Sequence, residues 1–459
     1  MTNKRRKRQL KLTFSALEAS EARDPHKEGI ESVTAETKPE SSALDATMKE
    51  VLKPKNLKKA LKQVLRNKGA AGIDGMTIEQ LPEYLKDNWP RIRLELLQGT
   101  YKPHAVRRVE IPKATGGKRQ LGIPTVLDRF IQQAVLQTLQ DKLDSTFSSN
   151  SFGFRPGRSA HHAIRQAQKH VSSGLQIVVD IDLEQFFDRV NHDILMGLIA
   201  KRVEDRSIRK LIRAYLNAGV MENGLVKPTA EGTPQGGPLS PFLSNVMLNE
   251  LDCELEKRKL NFVRYADDCN IYVRTQRAGN RVMQSITTFL ARKLKLKVNT
   301  KKSAVAPPQR RKFLGFSFFG SKEIKRRIAP ESIRRMQDRV RQITRRTRGG
   351  TLEEVAKELA IYLTGWRGYF RFCETPSVLQ NLDKWIRRRV RSLIWKRWKR
   401  GTTRFRELRR RGISKQQAAT TACTRSPWRA SNHAGMHRAF PNAFFRELGI
   451  PALYQPSIA

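Results

Sequence analysis

Two adjacent aspartates interrupt an apolar, β-prone run of twelve residues that begins at Phe262 and ends at Val273. Its two halves predict two strands, and Asp267 and Asp268 between them predict the tip of a hairpin. Two ionised carboxylates at one tight turn repel each other unless a cation offsets their charge. Mg²⁺ prefers hard oxygen ligands of this kind. The alternative is a solvated turn, which is the more common role of an isolated Asp-Asp pair.

A second acidic strand end lies earlier in the chain. The apolar run Ile177–Asp182 predicts a buried strand, and side-chain alternation along a strand places Asp180 and Asp182 on the same side. Carboxylates near a core need a partner. If this strand end meets the hairpin, the combined cluster can hold two Mg²⁺ ions. Such a cluster stabilises the attacking and leaving oxygens of phosphoryl transfer.

Net charge indicates a polyanionic partner. The chain has 459 residues, 89 Lys and Arg against 43 Asp and Glu, and a formal net charge of +46. From residue 321 to the end the balance is 33 basic against 10 acidic residues, so half of the surplus lies in less than a third of the chain. Tryptophan and tyrosine alternate with these basic residues instead of forming an amphipathic stripe. This pattern favours nucleic acid over an acidic lipid surface.

Several protein classes are disfavoured. No apolar run approaches the length of a membrane span, and no apolar stretch follows the basic cluster Lys4–Arg8, so neither a membrane anchor nor a secretory signal is expected. Four cysteines are scattered without a C-x-x-C pair, which argues against a disulfide framework and a structural zinc site. A reducing cytoplasm is the expected location.

The pattern along the chain predicts an α+β fold. Residues 1 to about 46 are polar and are expected to be disordered. An apolar helical face follows, and residues 70–320 mix strands, helices and Gly/Pro loops. Beyond Pro330 only helices are predicted. The expected segments are a helical face at Leu57, Leu61, Val64 and Leu65, strands at Val106–Pro112 and Ile177–Asp182, and helices at Thr125–Leu143, Leu239–Leu255, Ser332–Thr347, Leu352–Leu363 and Val378–Lys399.

A series of motifs in a fixed order supports a family assignment. They are Arg66–Gly75, Ile111–Thr125, Ser151–Ser159, Asp182–Asp188, Gly232–Ser240, Tyr265–Asp268, Asn299–Ser303, Phe313–Phe316, Gly365–Phe370 and Trp385–Trp398. Together they resemble the reverse transcriptase/maturase encoded by bacterial group II introns. The similarity covers about residues 50–459, and the ordered set is far more specific than any single motif.

The resemblance implies a right-hand polymerase with four regions. A disordered extension would occupy residues 1–49, and fingers and palm residues 50–320. A helical thumb/maturase domain would occupy residues 321–400, and a basic DNA-binding tail residues 401–459. Cys423, His433 and His437 cannot supply the paired cysteines of the endonuclease module that many relatives carry. The chain therefore resembles the short, endonuclease-less type, which uses pre-existing primers.

The resemblance also assigns catalytic roles. Asp182, Asp267 and Asp268 would form the metal site for two Mg²⁺ ions, with Asp182 and Asp267 as the stronger candidates for direct ligands. Asp180 is the alternative to Asp182. Phe187 matches the family's aromatic residue that crowds the incoming sugar and favours deoxynucleoside triphosphates. Ordinary core packing is the alternative for Phe187.

Four further residues would contact the substrates. Two cations on a predicted hairpin would neutralise the triphosphate, a loop glutamine would lie beside the nascent base pair, and one lysine would contact the primer-template end. These residues are Lys113 and Arg119, Gln235, and Lys302. Adjacent Lys301 is an alternative to Lys302.

Arginines and aromatic residues outside this set are expected to hold nucleic acid or fill the core. Arg155 and Arg158 are expected to hold the template backbone. In the basic helices, Trp366 and Trp385 are expected in the core. The aromatic residues that would stack on nucleic acid are Tyr369, Trp395 and Trp398.

The function implied is an RNA-directed DNA polymerase. It would bind its group II intron RNA to assist splicing and then copy that RNA into complementary DNA during retrohoming. Its partners would be intron RNA, target DNA and a primer-template duplex, with no membrane, in the bacterial cytoplasm and at the nucleoid. The alternatives are a splicing maturase without polymerase activity, and a reverse transcriptase repurposed for defence or diversification.

Overall fold

Helices and strands are mixed in the computed structural model of the chain, which confirms the predicted α+β class. The structure describes residues 46–112, 118–222, 225–227, 232, 236–320, 323–345, 347 and 349–455. Most of the extension predicted at residues 1–49 therefore lies outside the described residues. Helix α1 begins at Met48, and Met48 is buried.

The described residues divide into two compact units. The first comprises residues up to His170 together with Leu175–Ala306, and the second comprises Val171–Gly174 and the residues from Pro307 onward. The functional names given above to ranges of the chain stay predictions.

Up to Ala306 the helices and strands follow the predicted order closely. They are α1 Met48–Val51, α2 Pro54–Asn67, α3 Leu81–Gln98, β1 Val106–Pro112, β2 Lys118–Ile123, α4 Val126–Leu143, α5 Ala160–Ser172, β3 Ile177–Ile181, α6 His192–Ala200, α7 Arg206–Asn217, β4 Val220–Glu222, β5 Leu225–Lys227, α8 Ser240–Lys257, β6 Asn261–Tyr265, β7 Asp268–Val273, α9 Gln276–Phe289 and β8 Ala304–Ala306.

Two four-stranded sheets belong to this unit, with strand orders β2-β1-β4-β5 and β6-β7-β3-β8. In the second sheet β3 runs antiparallel to both of its neighbours, β7 and β8. Helix α9 packs closely on β3. A Cβ at Gly279 would lie only 2.5 Å from Val305 Cγ1 and 3.2 Å from Ile177 Cγ2, so glycine permits this approach.

Helix α2 confirms the predicted amphipathic face. Leu57, Leu61, Val64 and Leu65 are all buried, and the helix packs against α4. It ends at Asn67, where Lys68 takes a left-handed conformation with φ of 47°. The helix thus ends two residues before Gly69.

The second unit is helical after one short hairpin, as predicted. Strands β9 and β10 pair antiparallel before Ala329. Its elements are β9 Phe316–Phe319, β10 Lys325–Ile328, α10 Pro330–Ile343, α11 Leu352–Phe370, α12 Pro376–Arg397, α13 Gly401–Arg410, α14 Lys415–Ala422, α15 Pro427–Ala430, α16 Ala434–Ala439 and α17 Asn442–Glu447. Within the ranges that the structure covers, no helix is both long enough and apolar enough to cross a membrane.

The core tryptophans of this unit differ in part from the prediction. Trp366 is buried, as expected. Trp395, which was expected to stack on nucleic acid, is fully buried, and the Arg404 guanidinium lies 4.9 Å from its ring centroid. Trp385 is only half-buried, beneath the guanidinium of Arg341. The basic residues beside tryptophan thus partly serve packing within the protein.

Truncating the core face of α2 should destabilise the protein strongly. Leu61 is 0% exposed, so Leu61→Ala leaves a cavity and should lower the free energy of unfolding by about 2–5 kcal/mol. Chemical denaturation of the full chain measures this difference. Lys62→Ala is the matched control, because Lys62 is exposed on the same helix and should change the value by less than about 0.5 kcal/mol. Equal effects from the two substitutions would contradict the packing described.

Candidate active site

Strands β6 and β7 form the predicted hairpin. Tyr265 pairs with Asp268, so Ala266 and Asp267 are the two turn residues. Ala266 has a φ of 56°, a left-handed conformation that a residue with a Cβ adopts at a cost. The turn places Asp267 at the tip of the hairpin, as predicted, whereas Asp268 is already the first residue of β7.

Strand β3 brings the second acidic segment to the same edge of the sheet. Its last residue, Ile181, pairs with Cys269 of β7, so Asp182 follows at the end where β7 begins with Asp268. Asp180 pairs with Asn270, one position deeper in the sheet. The two acidic strand ends are therefore neighbours in one sheet, which the sequence left as a hypothesis.

A loop after α9 is fastened beside Asp182. The main-chain N–H of Asn299 donates to the Asp182 carbonyl oxygen at 2.8 Å, and the Asp182 N–H donates to Ser303 Oγ at 3.0 Å. This loop carries Lys302, whose Nζ lies 3.7 Å from Asp182 Oδ2. Of the two adjacent lysines, Lys302 is the one that forms this ion pair.

The carboxylates at this edge act on one another electrostatically. Burial of the carboxyl and, after it, the negative charges of Asp267, Asp180 and Asp182 together raise the pKa of Asp268 to about 7. The positive charge of Lys302 opposes them. The Asp268 side chain nevertheless reaches solvent, so a hydrated cation has access to it.

The donor chemistry suits a hard cation, although the side chains do not form a finished ligand shell. Among the residues that the structure describes, no three His, Cys, Asp or Glu side chains are arranged to hold a metal ion. Carboxylate oxygens are, however, the ligands that Mg²⁺ prefers, and a cation would relieve the repulsion that raises the pKa of Asp268. The residues fit a magnesium site in their chemistry and in their position on the sheet.

Phe187 lies in a 3₁₀ turn just after the acidic strand end. The turn spans Phe186–Asp188, and both phenylalanines are buried, with 9% of Phe187 and 2% of Phe186 exposed. Their ring centroids are 5.2 Å apart. Both rings are buried in the core, so the contact of Phe187 with the sugar stays a prediction.

The side chains predicted to contact the triphosphate and the nascent base pair are not among those that the structure describes. Lys113 and Gln235 fall outside the described residues. Arg119 lies in β2, where it pairs with Ile111 of β1. A Cβ at Gly236 would lie 2.3 Å from the Gly122 carbonyl oxygen, so this glycine permits close approach to the protein's own backbone.

The expectation that Arg155 holds the template is wrong. Its side chain is buried and its guanidinium donates to the Asp144 carboxylate and to the carbonyl oxygens of Ser148 and Ser151. Nη2 also donates to the Asp144 carbonyl oxygen at 2.6 Å, so all five donors are used and none remains for a phosphate. Arg158 is half-buried and also donates to the carbonyl oxygen of Ser151, at 3.1 Å.

One buried ion pair beside the hairpin escaped the sequence analysis. Arg264 of β6 and Asp252 of α8 are both fully buried, and their side chains meet at 2.6 Å. The available signal was an arginine inside an apolar strand, because a buried arginine requires an acidic partner. Its partner could not be read from the local pattern.

Family models match two parts of the chain. The model described as reverse transcriptase (RNA-dependent DNA polymerase) matches residues 111–318. The model described as the group II intron maturase-specific domain matches residues 333–412.

Several known proteins are similar to parts of the chain. The chain is 33% identical to Protein YkfC of Escherichia coli (strain K12) over 317 residues, which cover 60% of this chain and 82% of YkfC. It is 37% identical to the group II intron-encoded protein LtrA of Lactococcus lactis subsp. cremoris over 215 residues, or 47% of this chain and 36% of LtrA. A chain of a solved partial Cas6-RT-Cas1–Cas2 complex is 21% identical over 53% of this chain and 42% of that chain, with a TM-score of 0.34. With a reverse transcriptase domain followed by a maturase domain, the chain belongs to the family of group II intron reverse transcriptase/maturases.

Proposed function

We propose that the protein is an RNA-directed DNA polymerase that uses deoxynucleoside triphosphates and binds group II intron RNA. The observation that carries the proposal is the meeting of Asp182 with Asp267 and Asp268 at one edge of a sheet, inside the segment that matches the reverse transcriptase model. Carboxylates clustered at a strand end suit phosphoryl transfer. The electrostatic influence of Asp267 and Asp182 on Asp268 supports their joint action.

In this proposal Asp182 and Asp267 hold two magnesium ions, and Asp268 completes the site. Bound magnesium would supply charge neutralisation at the attacking and leaving oxygens. Lys302, ion-paired with Asp182, would turn toward the phosphate backbone of the primer-template end once a cation shares the Asp182 carboxylate. Phe187 would exclude the 2′-hydroxyl by steric contact.

The right-hand division assigns a role to each part of the fold. The sheet β6-β7-β3-β8 would be the palm, and the sheet β2-β1-β4-β5 would belong to the fingers, where Arg119 and Lys113 would bind the triphosphate. Helices α10 to α12 would form the thumb/maturase domain that binds intron RNA. The basic helices from α13 onward would bind target DNA through their surplus of arginine.

A splicing maturase without polymerase activity is the second candidate. The observation that favours it is the match of residues 333–412 to the group II intron maturase-specific domain, because RNA binding by this domain would suffice to assist splicing. The retained carboxylates at positions 182, 267 and 268 favour the polymerase, because RNA binding alone requires none of them. Primer extension by the unaltered chain separates the two candidates.

Removing the hairpin carboxylates should abolish DNA synthesis and spare RNA binding. For the double substitution Asp267→Ala with Asp268→Ala we expect a loss of roughly 1,000-fold or more in primer extension on poly(rA) primed with oligo(dT), because charge at the reacting phosphate is no longer offset. Affinity for a group II intron transcript at fixed salt should stay unchanged.

Asp193→Ala is the control, because Asp193 is an exposed aspartate of the same unit. Undiminished extension by the double variant would refute the assignment of the site. A wild-type chain that binds RNA but extends no primer would favour the maturase alone.

Shortening Phe187 should relax the choice of sugar. With Phe187→Ala we expect the preference for deoxynucleotides over ribonucleotides to fall by about 10–100-fold, since the steric barrier to the 2′-hydroxyl is removed. Single-nucleotide incorporation with matched dTTP and UTP measures this ratio. Phe186→Ala is the matched control, because its ring is adjacent and more deeply buried. A similar loss of selectivity in both variants would mean that general loosening, not the Phe187 ring, sets the preference.

Neutralising Asp268 should stabilise the metal-free protein at neutral pH. The pKa of Asp268 is about 7 in the folded state, above its ordinary value near 3.9, so its ionisation destabilises the fold progressively as pH rises from about 4 to 7. In EDTA, Asp268→Asn should therefore have the higher melting temperature above pH 7, and the two proteins should converge near pH 4. Mg²⁺ should narrow the gap by stabilising the wild type. A gap that is constant with pH would contradict the repulsion described.

A further inference from the structure

The buried guanidinium of Arg264 uses its whole hydrogen-bonding capacity around the turn of the acidic hairpin. Arginine has five N–H donors and no acceptor. Nε and Nη2 donate to the two carboxylate oxygens of Asp252 at 2.7 and 2.6 Å. Nη1 donates to Asn245 Oδ1 at 3.0 Å and to the Ala266 carbonyl oxygen at 2.9 Å, and Nη2 also donates to Ser151 Oγ at 2.8 Å. All five donors are satisfied, and the side chain is 0% exposed.

One of these five bonds reaches the turn itself. The Ala266 carbonyl belongs to the residue between Tyr265 and Asp267, and Ala266 is held in the left-handed conformation noted above. A hydrogen bond to this carbonyl opposes rotation of the peptide that leads into Asp267. The planar fork of arginine can span the helix and the turn together, which a single ammonium group cannot do.

The turn is also supported from the loop before α5. A Cβ at Gly153 would lie 2.2 Å from the Ala266 nitrogen, so the loop backbone lies directly against the turn. Asn245 connects the two supports, because its Nδ2 donates to the Gly153 carbonyl oxygen at 2.9 Å while its Oδ1 accepts from Arg264. Helix α8, strand β6 and this loop therefore constrain the same turn.

We propose that Arg264 is a positioning residue whose guanidinium, anchored by Asp252, fixes the main chain that presents Asp267 and Asp268. The inference rests on the proposed polymerase function. Arg264 acts through the turn and contacts no substrate in this role. The buried pair is neutral as a unit, so it can fix the turn without leaving an uncompensated charge beside the carboxylates.

The test replaces the pair as a unit. Arg264→Met combined with Asp252→Leu removes both buried charges together, which costs far less stability than removing one partner. Arg202→Met with Glu250→Leu is the control, because this partly buried ion pair, at 3.8 Å, also joins α8 to a neighbouring segment of the same unit. The readouts are the rise in melting temperature on adding Mg²⁺ alone, and kcat and KM for dTTP in primer extension.

For the Arg264 pair variant we expect the Mg²⁺-induced rise to shrink by at least about half. We also expect kcat to fall about 100-fold with KM changed less than about threefold, since a small displacement of reacting groups lowers the rate more than substrate binding. The control variant should lose melting temperature but keep its Mg²⁺ response and kcat. Arg264→Lys keeps a charge beside Asp252 and should show smaller losses of the Mg²⁺-induced rise and of kcat. If the pair variant does not fold, Arg264→Lys tests the positioning role in its place.

The possible results test the polymerase function and the positioning role of Arg264 separately. The positioning role is overturned if a folded Arg264 pair variant, or Arg264→Lys in its place, has the same Mg²⁺ response and kcat as the control variant. A different result is that Mg²⁺ stabilises the wild type, which extends no primer, and that only the Arg264 variants lose this stabilisation. In that case the polymerase proposal fails and the positioning role stands.

Discussion

Repulsion among carboxylates at one edge of the β6-β7-β3-β8 sheet is the constraint on which the site depends. Asp182, Asp267 and Asp268 meet there because β3 and the hairpin are hydrogen-bonded neighbours. Burial, together with the charges of Asp267 and Asp182, raises the pKa of Asp268. Such an arrangement opposes folding, so other interactions must hold it. The Lys302 loop is fastened to Asp182 on one side, and the Arg264 guanidinium fixes the turn on the other. A bound cation would convert the remaining repulsion into binding energy.

The large basic surplus serves two physical purposes. Some arginines are structural: Arg155, Arg264 and Arg391 are buried and donate to carboxylates or carbonyl oxygens of the protein. Each replaces water around its guanidinium with internal acceptors, as a buried charge requires. The exposed basic side chains can reach phosphates, although some of them, such as Arg341 with Asp338, already form ion pairs within the protein. Net charge therefore indicates nucleic acid correctly, but it overstates the number of residues in contact with it.

Local patterns predicted the parts of the fold that depend on local physics. Alternation and turn chemistry gave β3 and the hairpin at Asp267, and the apolar period of α2 gave its buried face. The contact between β3 and β7 joins residues far apart in sequence, so no local pattern predicts it. It was expected only because the ordered motifs resemble those of a known family. Arg155 and Trp395 were misjudged for the same reason. Whether an arginine or a tryptophan faces solvent is decided by partners such as Asp144 or Arg404, which no local window contains.

The position of the divalent ion is the most direct test of the central claim. Crystals of the protein with an RNA template, a DNA primer and a non-reactive nucleotide, prepared with Mn²⁺ in place of Mg²⁺, would reveal metal by anomalous scattering. The account predicts peaks within about 2.0–2.4 Å of carboxylate oxygens of both Asp182 and Asp267. Well-ordered template and primer with no peak between these two residues, or with metal held elsewhere, would contradict it.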